Sequence, residues 1–221
     1  MRDFRDLFKS NHISLSRFIN LCLYKKNQGF YQKNKIGTHF VTSPEVSQLF
    51  GECIAIFFLL LLKKSKINTF YELGPGNGTL MKDLISTFEK FIKDPISFNL
   101  YEKSKFLQSL QLNNLNYLNS KCFKIKSLNK LKLEKKPIFF FCNEFFDALP
   151  INQFEKVNNN WYERRVFFSD ELKILNIKTS SKFDCEHKNG DVIEISPLTN
   201  LYLFKILKHI KKFGGGILIF D

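Results

Sequence analysis

The chain has 221 residues, 44% of them hydrophobic, which is enough for one substantial core and fits one α/β domain with an appended segment better than two domains. Its 34 Lys and Arg against 21 Asp and Glu give a net charge of +13, a balance compatible with nucleic acid, an anionic membrane surface or an acidic protein partner. Only five of those cations are Arg, the residue enriched where bases and phosphates are read, while Lys, Asn, Ile and Phe abound together as in an AT-rich genome, so nucleic acid is not the expected partner.

Ser14 is placed to cap a helix whose apolar residues Leu15, Phe18, Ile19 and Cys22 recur at helical spacing, with Asn27 and Gly29 ending it. A polar stretch from Gln32 to Thr42 leads to Ser43-Pro44-Glu45, a helix-start signal, and one continuous helix is expected from Pro44 to Leu62. The apolar run Cys53 to Leu62 is about half of what a membrane span needs, so it reads as a buried helix. A strand from Asn68 to Leu73 follows, then a glycine turn, then a helix from Leu80 to Phe91. A second strand, Ile96 to Tyr101, ends at Glu102. Helical patterning covers Ser104 to Leu112, and further strands are expected at Cys122 to Ile125 and Ile138 to Cys142. Strands separated by helices predict a parallel sheet covered on both faces. Beyond Pro150, Ile151 to Val157 and Trp161 to Phe168 alternate as a β-hairpin joined by Asn158, Asn159 and Asn160. Strands at Lys173 to Lys178 and Val192 to Ser196, a helix from Pro197 to Phe213 and a last strand, Ile217 to Phe220, complete the pattern.

Cys22, Cys53, Cys122, Cys142 and Cys185 lie far apart with no C-x-x-C pair and no histidine at ligand spacing. They predict no metal site, a reducing and cytoplasmic setting in a bacterium, and buried thiols among apolar neighbours. No secretory signal or organelle presequence is evident at the N-terminus.

The chemistry concentrates in two segments. Glu72 precedes Gly74, Gly76 and Gly78, spaced G-x-G-x-G directly after a strand, where a bare backbone bends tightly and approaches a ligand. The spacing departs from the G-x-G-x-x-G of dinucleotide sites, whose helix N-terminus receives a pyrophosphate. A carboxylate at Glu72 would repel that group and attract the cationic sulfonium and amino groups of S-adenosylmethionine. Glu102, at the end of the second strand, is placed to accept the ribose hydroxyls. The second segment, Asn143 to Pro150, follows the Ile138 strand, where the ligand crevice of an open α/β sheet lies. Glu144 and Asp147, with Asn143 beside them, suit a guanidinium held by charge-assisted hydrogen bonds, and methyl transfer by direct displacement needs alignment more than a covalent nucleophile or a metal.

Gly37 with Phe40 to Glu52, then Glu72 to Leu80, then Asn143 to Pro150 strongly resemble the MidA family, with further likeness at Gly29 to Tyr31, Ile193 to Pro197 and Gly214 to Asp221. The resemblance implies a class I, Rossmann-like methyltransferase using S-adenosyl-L-methionine, of the kind that includes the mitochondrial complex I assembly factor, a protein arginine methyltransferase. A protein substrate is therefore implied, with a core subunit of complex I as the candidate. It also implies that Gly74, Gly76, Gly78 and Glu102 hold the cofactor, that Glu144 and Asp147 face the substrate, and that Thr42, Ser43 and Glu45 belong to a substrate-side lid. The expected organisation is an N-terminal helical and lid segment at 1–66, then a methyltransferase domain at 67–221 with a β-rich insertion at about 151–196. His39 stands where the family commonly has Asp, and an exposed, idle imidazole is expected there. The family continues past the position of Asp221 with strands that complete its sheet, so the C-terminal strands are expected to be missing, with a catalytically silent binding or assembly module as the alternative function.

Overall fold

A computed structural model describes residues 12–65, 67–118, 123–127, 131–168, 170–183 and 186–221. It divides into two compact units, one of residues 1–25 with 149–201 and one of residues 26–148 with 202–221. The N-terminal segment therefore divides near residue 25 and does not run as one piece to 66.

In the smaller unit, β1 (His12–Ser14) leads directly into α1 (Leu15–Tyr24), whose N-cap Ser14 accepts a hydrogen bond from the Arg17 amide. β6 (Asn152–Val157) and β7 (Asn160–Phe168) form the expected hairpin, flanked by β8 (Leu172–Thr179) on β7 and β9 (Val192–Ile195) on β6, all antiparallel. The turn uses Asn158 and Asn159, both at positive φ (46° and 62°), the conformation of a two-residue hairpin turn that asparagine tolerates. β1 pairs with the far end of β7, Ile13 opposite Val166, and those two side chains make a small core packed by Leu15, Phe18 and Leu21. The strand at His12–Ser14 has no counterpart in the sequence expectation, because three residues are too few for a periodicity to show.

The larger unit carries the parallel sheet. Its strands β2 (Thr69–Leu73), β3 (Ser97–Glu102), β4 (Phe123–Ser127), β5 (Ile138–Asn143) and β10 (Gly215–Phe220) stand in the order β10-β5-β2-β3-β4, all parallel. Cys122 lies outside the described residues, so the start of the β4 expectation is not described. Helices α2 (Ser43–Val46), α3 (Gln48–Leu62), α4 (Thr79–Phe91) and α5 (Lys105–Leu115) precede or connect these strands, and α6 (Pro197–Phe213) runs from the smaller unit into the larger.

The expected single helix from Pro44 is broken. Ser47 is extended (φ −153°, ψ 129°) and its side chain caps α3 by accepting the Leu49 amide, so a serine inside the pattern starts a new helix. Ser43 does not cap α2 either; the cap position is Thr42, whose side chain makes no capping bond. The rest of α3 is only partly covered. Ile54, Ala55 and Phe58 are buried, but Ile56, Phe57 and Leu60 are exposed, contrary to a helix buried all round. Among the described cysteines Cys22 and Cys53 are also exposed, pointing outward from their helices, and Cys142 is buried, while Cys122 and Cys185 lie outside the described residues. Among the described residues, no helix is long and apolar enough to cross a membrane.

One face of the sheet is a phenylalanine layer. Register places Phe70 beside Phe98 and Phe139, and Phe58 of α3 packs on this layer with ring centroids 5.1 Å from Phe70, 5.6 Å from Phe139 and 5.5 Å from Phe141. Tyr71, Tyr101 and Phe140 occupy the opposite face. There His209 is an ordinary core histidine, its Nε2 within 2.9 Å of the Lys136 carbonyl and its ring edge-on to Phe140. Since Phe58 fills the centre of the phenylalanine layer, Phe58→Ala is expected to lower the unfolding free energy by about 3–5 kcal/mol, measured by urea denaturation. A loss below about 1 kcal/mol would contradict that packing role.

Candidate cofactor and substrate site

β2 ends at Leu73, and the next amide, Gly74, still donates to the Tyr101 carbonyl at 3.0 Å, so the sheet ladder continues one residue past the strand before the chain turns. The Gly78 amide closes the turn on the Pro75 carbonyl at 2.7 Å, and Gly78 is itself the N-cap of α4. Gly74, Gly76 and Gly78 all have positive φ. At Gly74, with φ +63°, an added Cβ would lie 2.5 Å from Phe145 Cδ2. At Gly78, with φ +86°, it would lie 3.2 Å from Gln111 Cγ. The glycines are thus required by backbone conformation and by protein side chains packed on the turn, where sequence reasoning expected a bound molecule to exclude the Cβ.

Two carboxylates stand at the ends of the neighbouring strands. Glu72 shares the side of β2 that Phe70 occupies, and Glu102 shares the side of β3 that Phe98 occupies, since side chains alternate along a strand. Register sets Glu72 opposite Leu100, so Glu102 emerges two residues further along the adjacent strand on the same face. Glu72 is 2% exposed and Glu102 5%. Burial, and then the charge of Glu102, push the Glu72 carboxyl from 4.5 up to about 8. Burial also pushes Glu102 up, to about 7, against the pull of the Ser104 and Lys103 amides, the Gln111 side chain and the Lys103 charge. Glu102 Oε1 accepts the Ser104 amide at 2.7 Å. Glu72 Oε2 has no hydrogen-bond partner among the described residues.

The segment leading into α2 is strapped across the turn. Asn77 accepts the Ile36 amide (3.1 Å) and donates to the Ile36 carbonyl (2.8 Å) and to Glu45 Oε1 (3.0 Å). Thr79 Oγ1 also donates to Glu45 Oε1, at 2.7 Å. Ser104 Oγ donates to the Tyr31 carbonyl at 2.6 Å, and Gln111 Nε2 to the Gly76 carbonyl at 2.7 Å. Glu45 is therefore engaged in tying the strap to the glycine turn. Thr42 is half-buried and Ser43 exposed at the start of α2.

After β5 the chain turns sharply at Glu144, a non-glycine residue with φ 49°, held by its amide on the Phe220 carbonyl at 2.7 Å. Asp221 Oδ1 accepts the amides of Phe145 (2.8 Å) and Phe146 (3.2 Å), which fixes the loop. Asn143 Nδ2 donates to Glu144 Oε1 at 3.2 Å. The Tyr31 phenol is raised above its ordinary value by burial and then by the charges of Asp147, Glu102 and Glu144. Burial also raises the Cys142 thiol, followed by Asp221, Glu72 and Asp147. Among the described residues no lysine or arginine forms an ion pair with Glu144 or Asp147.

Of the residues picked out from the sequence, Glu72, Glu102, Asn143, Glu144, Asp147 and the three glycines converge on one crevice at the carboxyl ends of β2, β3 and β5. His39 is exposed, its ring 5.4 Å from Phe30, and among the described residues no carboxylate pairs with it. Tyr31, Asn77, Gln111 and Asp221 were not singled out, although all four build the crevice. Among the described residues no group of three His, Cys, Asp or Glu is arranged to hold a metal ion.

The donor set fits S-adenosylmethionine. Two buried carboxyl groups, one with an oxygen unpaired among the described residues, offer oxygens to ribose hydroxyls and to a cationic amino group, whose positive charge favours their ionised form, whereas the negative charge of a pyrophosphate would oppose it. Residues 51–221 match the model of a family described as "putative S-adenosyl-L-methionine-dependent methyltransferase". The chain belongs to this family. It is also 30% identical to the protein arginine methyltransferase NDUFAF7, mitochondrial, of Xenopus laevis, over 95% of this chain and 56% of that protein. It is 27% identical to the Homo sapiens protein of the same name, over 95% of this chain and 55% of that one. The chain thus spans little more than half the length of these curated relatives. A crystal structure of a Burkholderia thailandensis protein bound to S-adenosyl-homocysteine, described as a "likely methyl transferase", superposes with a TM-score of 0.77 at 21% identity, covering 91% of this chain and 57% of that one. That likeness fixes the fold as the methyltransferase α/β type.

The raised carboxyls make a pH prediction. A group whose folded value lies above its unfolded value stabilises the fold below the unfolded value and loses that contribution as pH rises through the folded one. The ligand-free protein should therefore lose stability between about pH 4.5 and 8, the span from the ordinary carboxyl value to that of buried Glu72. Glu72→Gln should flatten the upper part of that decline in urea titrations at stepped pH. A stability that rises across this range would contradict the burial of the pair.

Proposed function

We propose that this chain binds S-adenosylmethionine at the Glu72–Glu102 crevice and directs its methyl group to an arginine of a protein substrate. The observation that carries the reading is the juxtaposition of the buried Glu72–Glu102 pair with Glu144 and Asp147, two carboxylates without a cationic partner among the described residues. When bound, the cofactor supplies an electrophilic methyl on a cationic sulfur. Glu102 accepts the ribose hydroxyls, and Glu72 offers its free oxygen to the amino group. Glu144 and Asp147 hold the incoming guanidinium by charge-assisted hydrogen bonds, turn one nitrogen to the methyl and take the proton that nitrogen sheds. The Asp221 carboxylate and the Phe220 carbonyl keep Glu144 and the following loop in that orientation.

The arginine choice draws on the printed names of the relatives, and the sequence resemblance to the MidA family makes a complex I core subunit the candidate substrate. We place the reaction in a reducing, cytoplasmic compartment, supported by the exposed free thiols of Cys22 and Cys53; the mitochondrial address in the relatives' names belongs to those proteins.

Incubation of the purified chain with methyl-labelled cofactor and complex I core subunits should label an arginine, identified by mass spectrometry. Glu144→Gln should slow that labelling by about a hundredfold or more, because one partner of the guanidinium and its proton acceptor is lost. Label confined to lysine or RNA, or full activity of Glu144→Gln, would refute the assignment.

A further inference from the structure

The C-terminal half of α3 is more apolar than its core contacts require. Its buried side chains end in Phe58, while Ile56 is 50% and Leu60 55% exposed, and across from them Phe91, the last residue of α4, is 69% exposed. Between the two helix ends lies an open groove of about 1030 Å³, walled by Leu59, Leu62, Ile67, Ile92, Pro95 and Ile96. That volume sits at the top of the about 300–1,000 Å³ range of small-ligand sites. Exposed aliphatic and aromatic groups clustered around one depression mark a surface built for an apolar contact.

The groove lies at the other end of the sheet from the carboxylate crevice. Ile67 and Asn68 precede β2 and Ile96 precedes β3, whereas Glu72 and Glu102 are at the carboxyl ends of those strands. Occupation of the groove is therefore independent of the cofactor reading.

Its rim is cationic. Lys63 and Lys93 line it with Asp94, and the adjoining Lys64 and Lys90 are exposed as well, with Glu89 beside Lys90 in the chain. Lys90 lies in the last turn of α4, where helix carbonyls carry partial negative charge, and Lys63 is the C-cap of α3, but Lys64 and Lys93 lie beyond the helix ends. Ser65 Oγ, in the groove lining, is buried without a hydrogen-bond partner among the described residues.

We infer that this face docks on an anionic bilayer, with Ile56, Leu60 and Phe91 entering the acyl boundary and the lysine rim meeting lipid phosphates. The arrangement follows from charge complementarity: apolar side chains at the centre, and lysines at the edge whose long stems reach outward to the headgroups. The net charge of +13 acts in the same direction, since it draws the chain toward anionic surfaces.

Co-sedimentation with vesicles of phosphatidylcholine alone, and of phosphatidylcholine mixed with phosphatidylglycerol, tests the inference. The chain should partition onto the mixed vesicles at least about tenfold better than onto the neutral ones, and raised salt should reverse the gain. Lys63→Glu with Lys93→Glu should abolish the preference, and Leu60→Asp with Phe91→Asp should abolish binding. Ile174→Asp, on the exposed β8 strand, should bind as the unaltered chain does. Circular dichroism melting checks that each variant folds, and the salt dependence of the unaltered chain stands as a test that needs no variant. Equal partition onto both vesicle types, binding indifferent to salt, or undiminished binding of both double variants would overturn the inference. So would sedimentation showing that the chain self-associates through this face and that Leu60→Asp with Phe91→Asp restores monomers.

Discussion

Two carboxylates brought out of water on the same face of adjacent strands are the constraint around which the larger unit is arranged. Glu72 and Glu102 are nearly inaccessible, each raises the proton affinity of its surroundings, and one oxygen of Glu72 finds no donor among the described residues. A buried, incompletely satisfied acid costs stability, on the order of 1–3 kcal/mol for a missing hydrogen bond. A fold keeps such a group where a ligand supplies the missing donor. The crevice is thus an electrostatic demand, and the surrounding elements either hold it open or limit what can meet it.

The supports are long-range hydrogen bonds. Asn77 uses both ends of its amide to clip the Ile36 backbone and Glu45 to the glycine turn, and Thr79 adds a second donor to the same carboxylate. Ser104 caps α5 while its hydroxyl fixes Tyr31, and Glu102 accepts the Ser104 amide, so the strap, Glu102 and α5 are one connected network. On the other side Asp221 and Phe220 fix the turn at Glu144. In this arrangement Phe145 packs where a Cβ on Gly74 would stand. The loop carrying Glu144 and Asp147 is therefore packed directly on the glycine turn.

Much of this was legible in the sequence because it is local. Short apolar runs before Glu72, Glu102 and Asn143 placed the strands, and the helix Pro197–Phe213 was read with its observed bounds, since a proline start and a glycine stop are strong signals. What escaped is what depends on distant partners. Ser47 breaks the helix expected from Pro44 by capping α3, a choice between two serines that periodicity does not make. Glu45 reads as a lid residue, and only the fold shows that Asn77 and Thr79 claim its oxygen. Cys22 and Cys53 have apolar neighbours in sequence but point outward, because neighbours in sequence lie on different faces of a helix. Asn77 sits inside the glycine motif, where attention falls on the glycines; a polar side chain between two residues of positive φ was the available signal. Tyr31 and Asp221 carried none beyond the family resemblance.

The central claim is that the buried acid pair exists to receive a methyl donor. Calorimetric titration of the chain with S-adenosylmethionine tests it most directly, alongside Glu102→Ala and a dinucleotide. The account predicts saturable binding at one site per chain, weakened at least about tenfold in Glu102→Ala, as expected when a charged hydrogen-bond partner is removed, with no heat from the dinucleotide. Binding that is unchanged in Glu102→Ala, or a dinucleotide that binds in place of the methyl donor, would contradict it.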